Sequence, residues 1–131
     1  MANGIYQLSK QNYSFPGILA GDIKVVLTRG YVPNFGTHEF LSDIAAPNRI
    51  STSPNLGGKT FTLGVFDANN VAFIAVPAGL ACNYLILYQD TGLAATSRLL
   101  CGLDTGFAGL PVVPDGSDIQ ITWAVGGIFA L

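Results

Sequence analysis

The groups in this chain that could do chemistry are few. The one imidazole is His38, followed directly by Glu39. A histidine oriented by a carboxylate can act as a general base. The other reading, a polar half-exposed residue, is the one expected here. The acids are Asp22, Glu39, Asp43, Asp67, Asp90, Asp104, Asp115 and Asp118. Most stand beside Gly, Ala or Thr, where an Asp bonds its own turn backbone. Asp67-Ala68-Asn69-Asn70 comes nearest to a calcium loop, but it lacks the full set of alternating oxygen donors. A turn is expected there instead.

The two cysteines, Cys82 and Cys101, have no CxxC spacing, and one histidine does not furnish a zinc site. Both lie in or beside apolar runs and are expected to be buried free thiols. Asp104-Thr105-Gly106 matches the tripeptide of retroviral-type aspartic proteases, but the match is three residues long and one copy would need a dimer. No glycine loop that could cradle a phosphate is present. Tyr84, Tyr88 and Phe129 could form a sugar-binding platform if exposed; core packing is the commoner use of such rings. The expectation is a chain that is not an enzyme, with no catalytic residue, no cofactor and no metal.

The elements around these residues read as mostly β. Residues 22–28 are β-branched and predict a strand. Residues 49–53, 59–65, 71–76, 82–90, 96–103, 118–124 and 128–131 are further candidates, with a short piece at 111–114. Residues 82–90 and 96–103 predict a hairpin closed through Asp90-Thr91-Gly92. In residues 59–65 the alternation puts Phe61, Leu63 and Val65 on one face. In residues 118–124 it puts Ile119, Ile121 and Trp123 together. About eight short strands predict a single-domain β-sandwich or a jelly-roll-like barrel. Two helical pieces are added. Ile5, Leu8 and Phe15, with Tyr6 and Tyr13 between them, predict a short N-terminal helix or arm ending before Pro16-Gly17. Thr37 could cap a helix over residues 37–44, with Phe40, Leu41 and Ile44 on one stripe, ended by Pro47. The expected division is an arm over residues 1–20 and a β domain over residues 21–131.

Composition bounds the partners. Half of the 131 residues are hydrophobic and 11% are charged, against about 25% in an average soluble domain. A small monomer does not easily hide that much apolar side chain, so a covering partner is expected. The net charge is −2, and the six basic residues, Lys10, Lys24, Arg29, Arg49, Lys59 and Arg98, are scattered. They form no phosphate-binding stripe, so nucleic acid is not expected as a partner. The longest apolar run, near residues 71–82, is interrupted by Pro77 and Gly79 and falls short of the ~20 residues of a spanning helix, so no membrane is expected either. The start, Met1-Ala2-Asn3-Gly4, shows no export signal.

Pieces along nearly the whole chain resemble the small virion proteins of tailed bacteriophages. They are Met1-Ala2-Asn3-Gly4-Ile5-Tyr6, Gly21-Asp22-Ile23-Lys24-Val25, Tyr31-Val32-Pro33-Asn34 and Thr37-His38-Glu39-Phe40-Leu41-Ser42-Asp43-Ile44. Later ones are Gly64-Val65-Phe66-Asp67-Ala68-Asn69-Asn70-Val71, Tyr88-Gln89-Asp90-Thr91-Gly92 and Asp118-Ile119-Gln120-Ile121-Thr122-Trp123. None is a motif with a chemical mechanism. The resemblance implies a structural role in the virion, assembled in the host cytoplasm. The expected role is capsid decoration (cement), as a homotrimer bound to the major capsid protein. A neck or tail component is the alternative, and a receptor- or glycan-binding module is the second. The expected contact residues are Ile5, Tyr6, Leu8, Tyr13 and Phe15.

Overall fold

The computed structural model describes residues 4–12, 15–104, 107–108, 112–124 and 126–130. In chain order these form β1 (Gly4–Ile5), α1 (Gln7–Asn12), a 3-10 helix (Phe15–Leu19) and β2 (Ile23–Thr28). Two 3-10 turns (Leu41–Asp43 and Ala46–Asn48) lead into β3 (Arg49–Thr52). Then come β4 (Thr60–Thr62), β5 (Val65–Asp67), β6 (Val71–Phe73), β7 (Tyr84–Gln89) and β8 (Arg98–Leu103). The last are β9 (Phe107–Ala108), β10 (Ile119–Trp123) and β11 (Phe129–Ala130).

The strands make a five-stranded sheet in the order β1-β8-β7-β2-β3 and two three-stranded sheets, β6-β10-β9 and β11-β5-β4. Every described pairing is antiparallel. The expected hairpin of β7 and β8 is present, in the register Leu85↔Leu103 to Gln89↔Arg98. A bulge lies in it, since Leu87 pairs with Cys101 while Tyr88 pairs with Leu99. Leu100 is the extra residue, so Leu100 and Cys101 both turn to one core while Leu99 faces the other.

The large sheet is buried on both sides. On one side Ile23, Val25 and Leu27 of β2 and Leu85 and Leu87 of β7 meet Phe66, Phe73, Ile119, Ile121, Trp123 and Phe129 from the two small sheets. This is a sandwich core, and the chain is a mostly β domain with that layering. On the other side Val26, Tyr84, Ile86, Tyr88 and Leu99 are covered by irregular chain, through Tyr6, Tyr31, Leu41 and Ile44. Burial on both faces explains why Tyr84-Leu85-Ile86-Leu87-Tyr88 reads as one apolar run with no polar alternation. In β10 the expected alternation holds, with Ile119, Ile121 and Trp123 buried and Gln120 and Thr122 exposed.

Three expectations change. Residues 59–65 are not one strand. Leu63 (φ 52°) and Gly64 (φ 79°) form a two-residue turn between β4 and β5. Positive φ at both central positions is the geometry that matches strand twist in a tight hairpin. Leu63 is thereby 98% exposed instead of sharing a face with Phe61 and Val65.

The helix over residues 37–44 shrinks to the single 3-10 turn Leu41–Asp43. Thr37 does not cap it. Asn34 Oδ1 accepts the N–H groups of Gly36 and Thr37, and Asp43 Oδ2 accepts those of Glu39 and Phe40. Residues 39–41 instead bond to β8 and its approach: Leu99 N donates to Glu39 O and Leu41 N to Ser97 O. Sheet pairing takes the backbone groups that a helix would have used.

The N-terminal segment holds the expected short helix, α1, but its strand β1 belongs to the large sheet. β1 pairs with β8 through Gly4↔Gly102 and Ile5↔Cys101. Tyr6 N donates to Leu100 O at 3.0 Å, and the Ser9 hydroxyl bonds Leu99 O. The expected boundary at residue 20 therefore crosses a shared sheet and a shared core.

Candidate functional site

His38 sits at the end of a strap, residues 30–39, that crosses the second core. Asn34 builds the turn within it through the Asx bonds above, which any short polar side chain at a turn start can make. Ahead of that turn Tyr31 is buried; after it the chain brings His38 back over Tyr31, the two rings stacked 5.5 Å apart. Tyr31 Oη lies 2.8 Å from His38 Nδ1 and 2.8 Å from Tyr6 Oη. Asn34 N–H also donates to His38 Nδ1, at 3.3 Å. A backbone N–H cannot accept, so Nδ1 is the acceptor and the ring proton belongs on Nε2. The chain then runs one way, Tyr6 O–H to Tyr31 oxygen and Tyr31 O–H to His38 Nδ1.

Burial first, then Tyr31, and after it the neighbouring Cys101 and Asp43, push the Tyr6 phenol far above its ordinary range. Tyr31 is pushed up to about 12, by burial first and by Asp43, against a lowering bond from Tyr6. Both phenols are therefore neutral at physiological pH. Glu39 does not orient His38 as a catalytic carboxylate would. Its Oε2 takes Arg98 Nη1 at 2.6 Å, and the Arg98 guanidinium lies 4.8 Å over the Phe40 ring. The arrangement holds a strap in place.

The other candidates stay apart. Cys82 and Cys101 are buried free thiols. Burial raises both pKa values, with Arg29 partly offsetting it at Cys82 and a backbone bond from Leu87 partly offsetting it at Cys101. A protonated buried thiol is a poor nucleophile. Asn69 and Asn70 serve Trp123: Asn70 Oδ1 accepts its N–H and Asn69 O its indole Nε1–H, each at 3.0 Å. Asp104 neighbours Tyr84, whose phenol is raised by burial first and then by that carboxylate; Thr105 and Gly106 lie outside the described residues. Among the described residues no group of three or more His, Cys, Asp or Glu could hold a metal ion. Tyr84, Tyr88 and Phe129 are all buried, at 4%, 3% and 8% exposure, so they offer no sugar platform.

The expected contact residues are dispersed. Tyr6 is fully buried and belongs to the domain's own core, which takes it off any docking surface. Ile5 and Leu8 are half-buried. Ile5 lines an open cleft of about 310 Å³ with Gly4, Ile128, Phe129 and Ala130. Tyr13 and the side chain of Phe15 lie outside the described residues.

Sequence reasoning missed two features. The Tyr6–Tyr31 pairing joins residues 25 positions apart, which no local spacing reports. The second is the set of exposed large apolar residues, Leu19, Val32, Leu63, Ile74, Leu80, Leu93 and Val113, of which Leu63, Ile74 and Val113 lay inside runs that read as strand. Three of them, Ile74, Leu80 and Val113, come from two segments laced by backbone bonds. Gly116 N donates to Val76 O, Gly79 N to Pro114 O and Cys82 N to Val112 O. No helix among the described residues is long and apolar enough to cross a membrane. No protein-family model and no curated protein matches the chain.

Proposed function

We propose that this chain is a structural protein of a tailed-bacteriophage particle, a decoration protein that binds the capsid shell as a trimer and bridges neighbouring major capsid proteins. The observation that carries the reading is the placement of large apolar side chains on connections, where Ile74, Leu80 and Val113 gather on one pair of laced segments. Exposed apolar groups in a chain with 11% charged residues favour a partner that covers them. Docking then rests on buried apolar area, at ~25 cal/mol per Å² before the cost of association. The resemblance noted in the sequence supplies the particle as the setting.

The N-terminal segment does not serve as a removable docking arm in this reading. Deleting it would take away Tyr6 and the β1 pairing, and so would test folding instead of binding. The better variants are Leu80→Asp and Val113→Asp, at exposed positions. Particles imaged by electron microscopy should carry on the order of hundreds of copies on the shell, because decoration follows capsid symmetry. Both variants should cut that occupancy while the free protein melts as before. Six or twelve copies at one vertex would replace this reading with a neck or tail ring, and unchanged occupancy in the variants would remove the patch from it.

A further inference from the structure

We infer that His38 is an acid-sensitive latch, whose neutral ring holds the strap of residues 30–39 over the second core and whose protonation loosens both the strap and the N-terminal segment beneath it. The strap is the cover of that core. The Phe35 ring lies against the paired glycines of β1 and β8, so close that a Cβ on Gly4 would come within 2.7 Å of it and one on Gly102 within 3.1 Å. Phe35 also meets the Tyr6 ring edge-on, with centroids 5.0 Å apart, and its carbonyl accepts Gln7 N–H at 2.7 Å. Strap and N-terminal segment thus hold each other.

The latch follows from donor and acceptor arithmetic. His38 Nδ1 receives two donors, Tyr31 O–H and Asn34 N–H. An imidazolium carries a proton on both nitrogens and accepts nothing. Protonation therefore sets Nδ1–H against Asn34 N–H. It also makes Tyr31 an acceptor from His38, so the Tyr31 hydroxyl proton loses Nδ1 and the Tyr6–Tyr31 pair is left with one hydroxyl proton more than it has acceptors. Tyr6 is fully buried, where a lost acceptor is not replaced by bulk water.

The charged and titratable groups around the chain have partners of their own. Asp43 is near enough to act on both phenols, but its Oδ2 is occupied by the N–H groups of Glu39 and Phe40. Glu39 is turned to Arg98 on β8. Cys101, behind Tyr6 on β8, is a buried thiol held protonated.

Hydrogen exchange of the full chain at pH 7.5 and pH 5.0, corrected for intrinsic chemistry, tests this. Residues 30–40 and 4–12 should open about tenfold or more faster at pH 5.0, while β2 and β7 do not change. In His38→Gln the side-chain oxygen can accept from Tyr31 without titrating, so the acid step should vanish. An equal step in that variant, or no step in the wild type, overturns the latch. The nitrogen-15 spectrum of the ring gives a reading that needs no variant. Nδ1 should be the unprotonated nitrogen at pH 7.5, and a proton found there overturns the latch as well.

Discussion

The two faces of the large sheet are covered in different ways. The first is closed by other strands and is filled by aliphatic and aromatic side chains and two cysteines. The second is closed by Tyr6 of the N-terminal segment, by the strap and by Leu41 and Ile44 after it, and four of its nine buried members are tyrosines. The difference teaches what each cover must satisfy. Strands satisfy their own backbone through pairing, so side chains facing the first core need only shape. Irregular chain brings polar groups with it, and these must find partners at the sheet face. Tyrosine meets both needs, with an apolar ring and a hydroxyl that can bond at its edge. The first face should thus behave as a packing problem and the second as a hydrogen-bonding one.

The largest effect expected from that contrast is in the first core. Phe66 is fully buried and stacks on Phe129 at 5.3 Å between centroids. Phe66→Ala should cost about 3–5 kcal/mol in urea unfolding, from lost transfer energy and the cavity left behind. A loss under about 1 kcal/mol would mean that the small sheets repack freely, and the sandwich core would not be the stabilising one. In the second core Tyr6→Phe keeps the ring and removes one hydroxyl. It should cost about 1–2 kcal/mol, because Tyr31 loses its donor in a buried site. Tyr6→Phe and Tyr31→Phe together should cost less than the sum of the two, since one chain is broken in both. Strict additivity would show that the hydroxyls do not act as a unit.

The second face should also respond to alkali through its phenols, as the first should through the buried thiols Cys82 and Cys101. Tyr31 has its phenol pushed up to about 12, by burial first, against about 10 in an unfolded chain. The unfolded phenol gives up its proton first, so deprotonation favours unfolding. The stabilisation is complete below about pH 10 and is lost as pH rises toward about 12. Tyr6 acts in the same direction. Thermal melts over that range should fall more steeply in the wild type than in Tyr31→Phe. Parallel curves would place the alkaline sensitivity elsewhere.

The same contrast explains what could be read from the sequence. Alternation reported β10 directly, and β-branched content reported β2, because period-two burial against another sheet leaves a local trace. The apolar run of β7 gave the strand, but not that Leu85 and Leu87 face one core while Tyr84, Ile86 and Tyr88 face another. Nothing local marked the strap as a cover. Its helix signal at Thr37 and Phe40 was overridden by pairing with residues 97–99, and its key bond joins Tyr31 to Tyr6. The histidine was visible from the start as the one imidazole, but not its partners. Glu39, adjacent in sequence, is turned to Arg98 and away from that role.

The smallest expected effect lies at the hairpin tip, outside both cores. Leu63 holds φ at 52° and is 98% exposed. Leucine fits neither condition: a branched side chain in the left-handed region costs roughly 1 kcal/mol, and an isolated apolar tip gains nothing from water. Asparagine is favoured at that turn position. Leu63→Asn should therefore raise stability by about 0.5–1 kcal/mol, read as a higher melting temperature with an unchanged urea slope. A drop instead would show that Leu63 packs on the domain. If the leucine is kept because a neighbouring protein in the particle covers it, the same variant moves two measurements in opposite directions. The free protein becomes more stable, while its occupancy on the particle falls. A rise in both would leave the strained leucine with no role in assembly and confine the docking surface to Ile74, Leu80 and Val113.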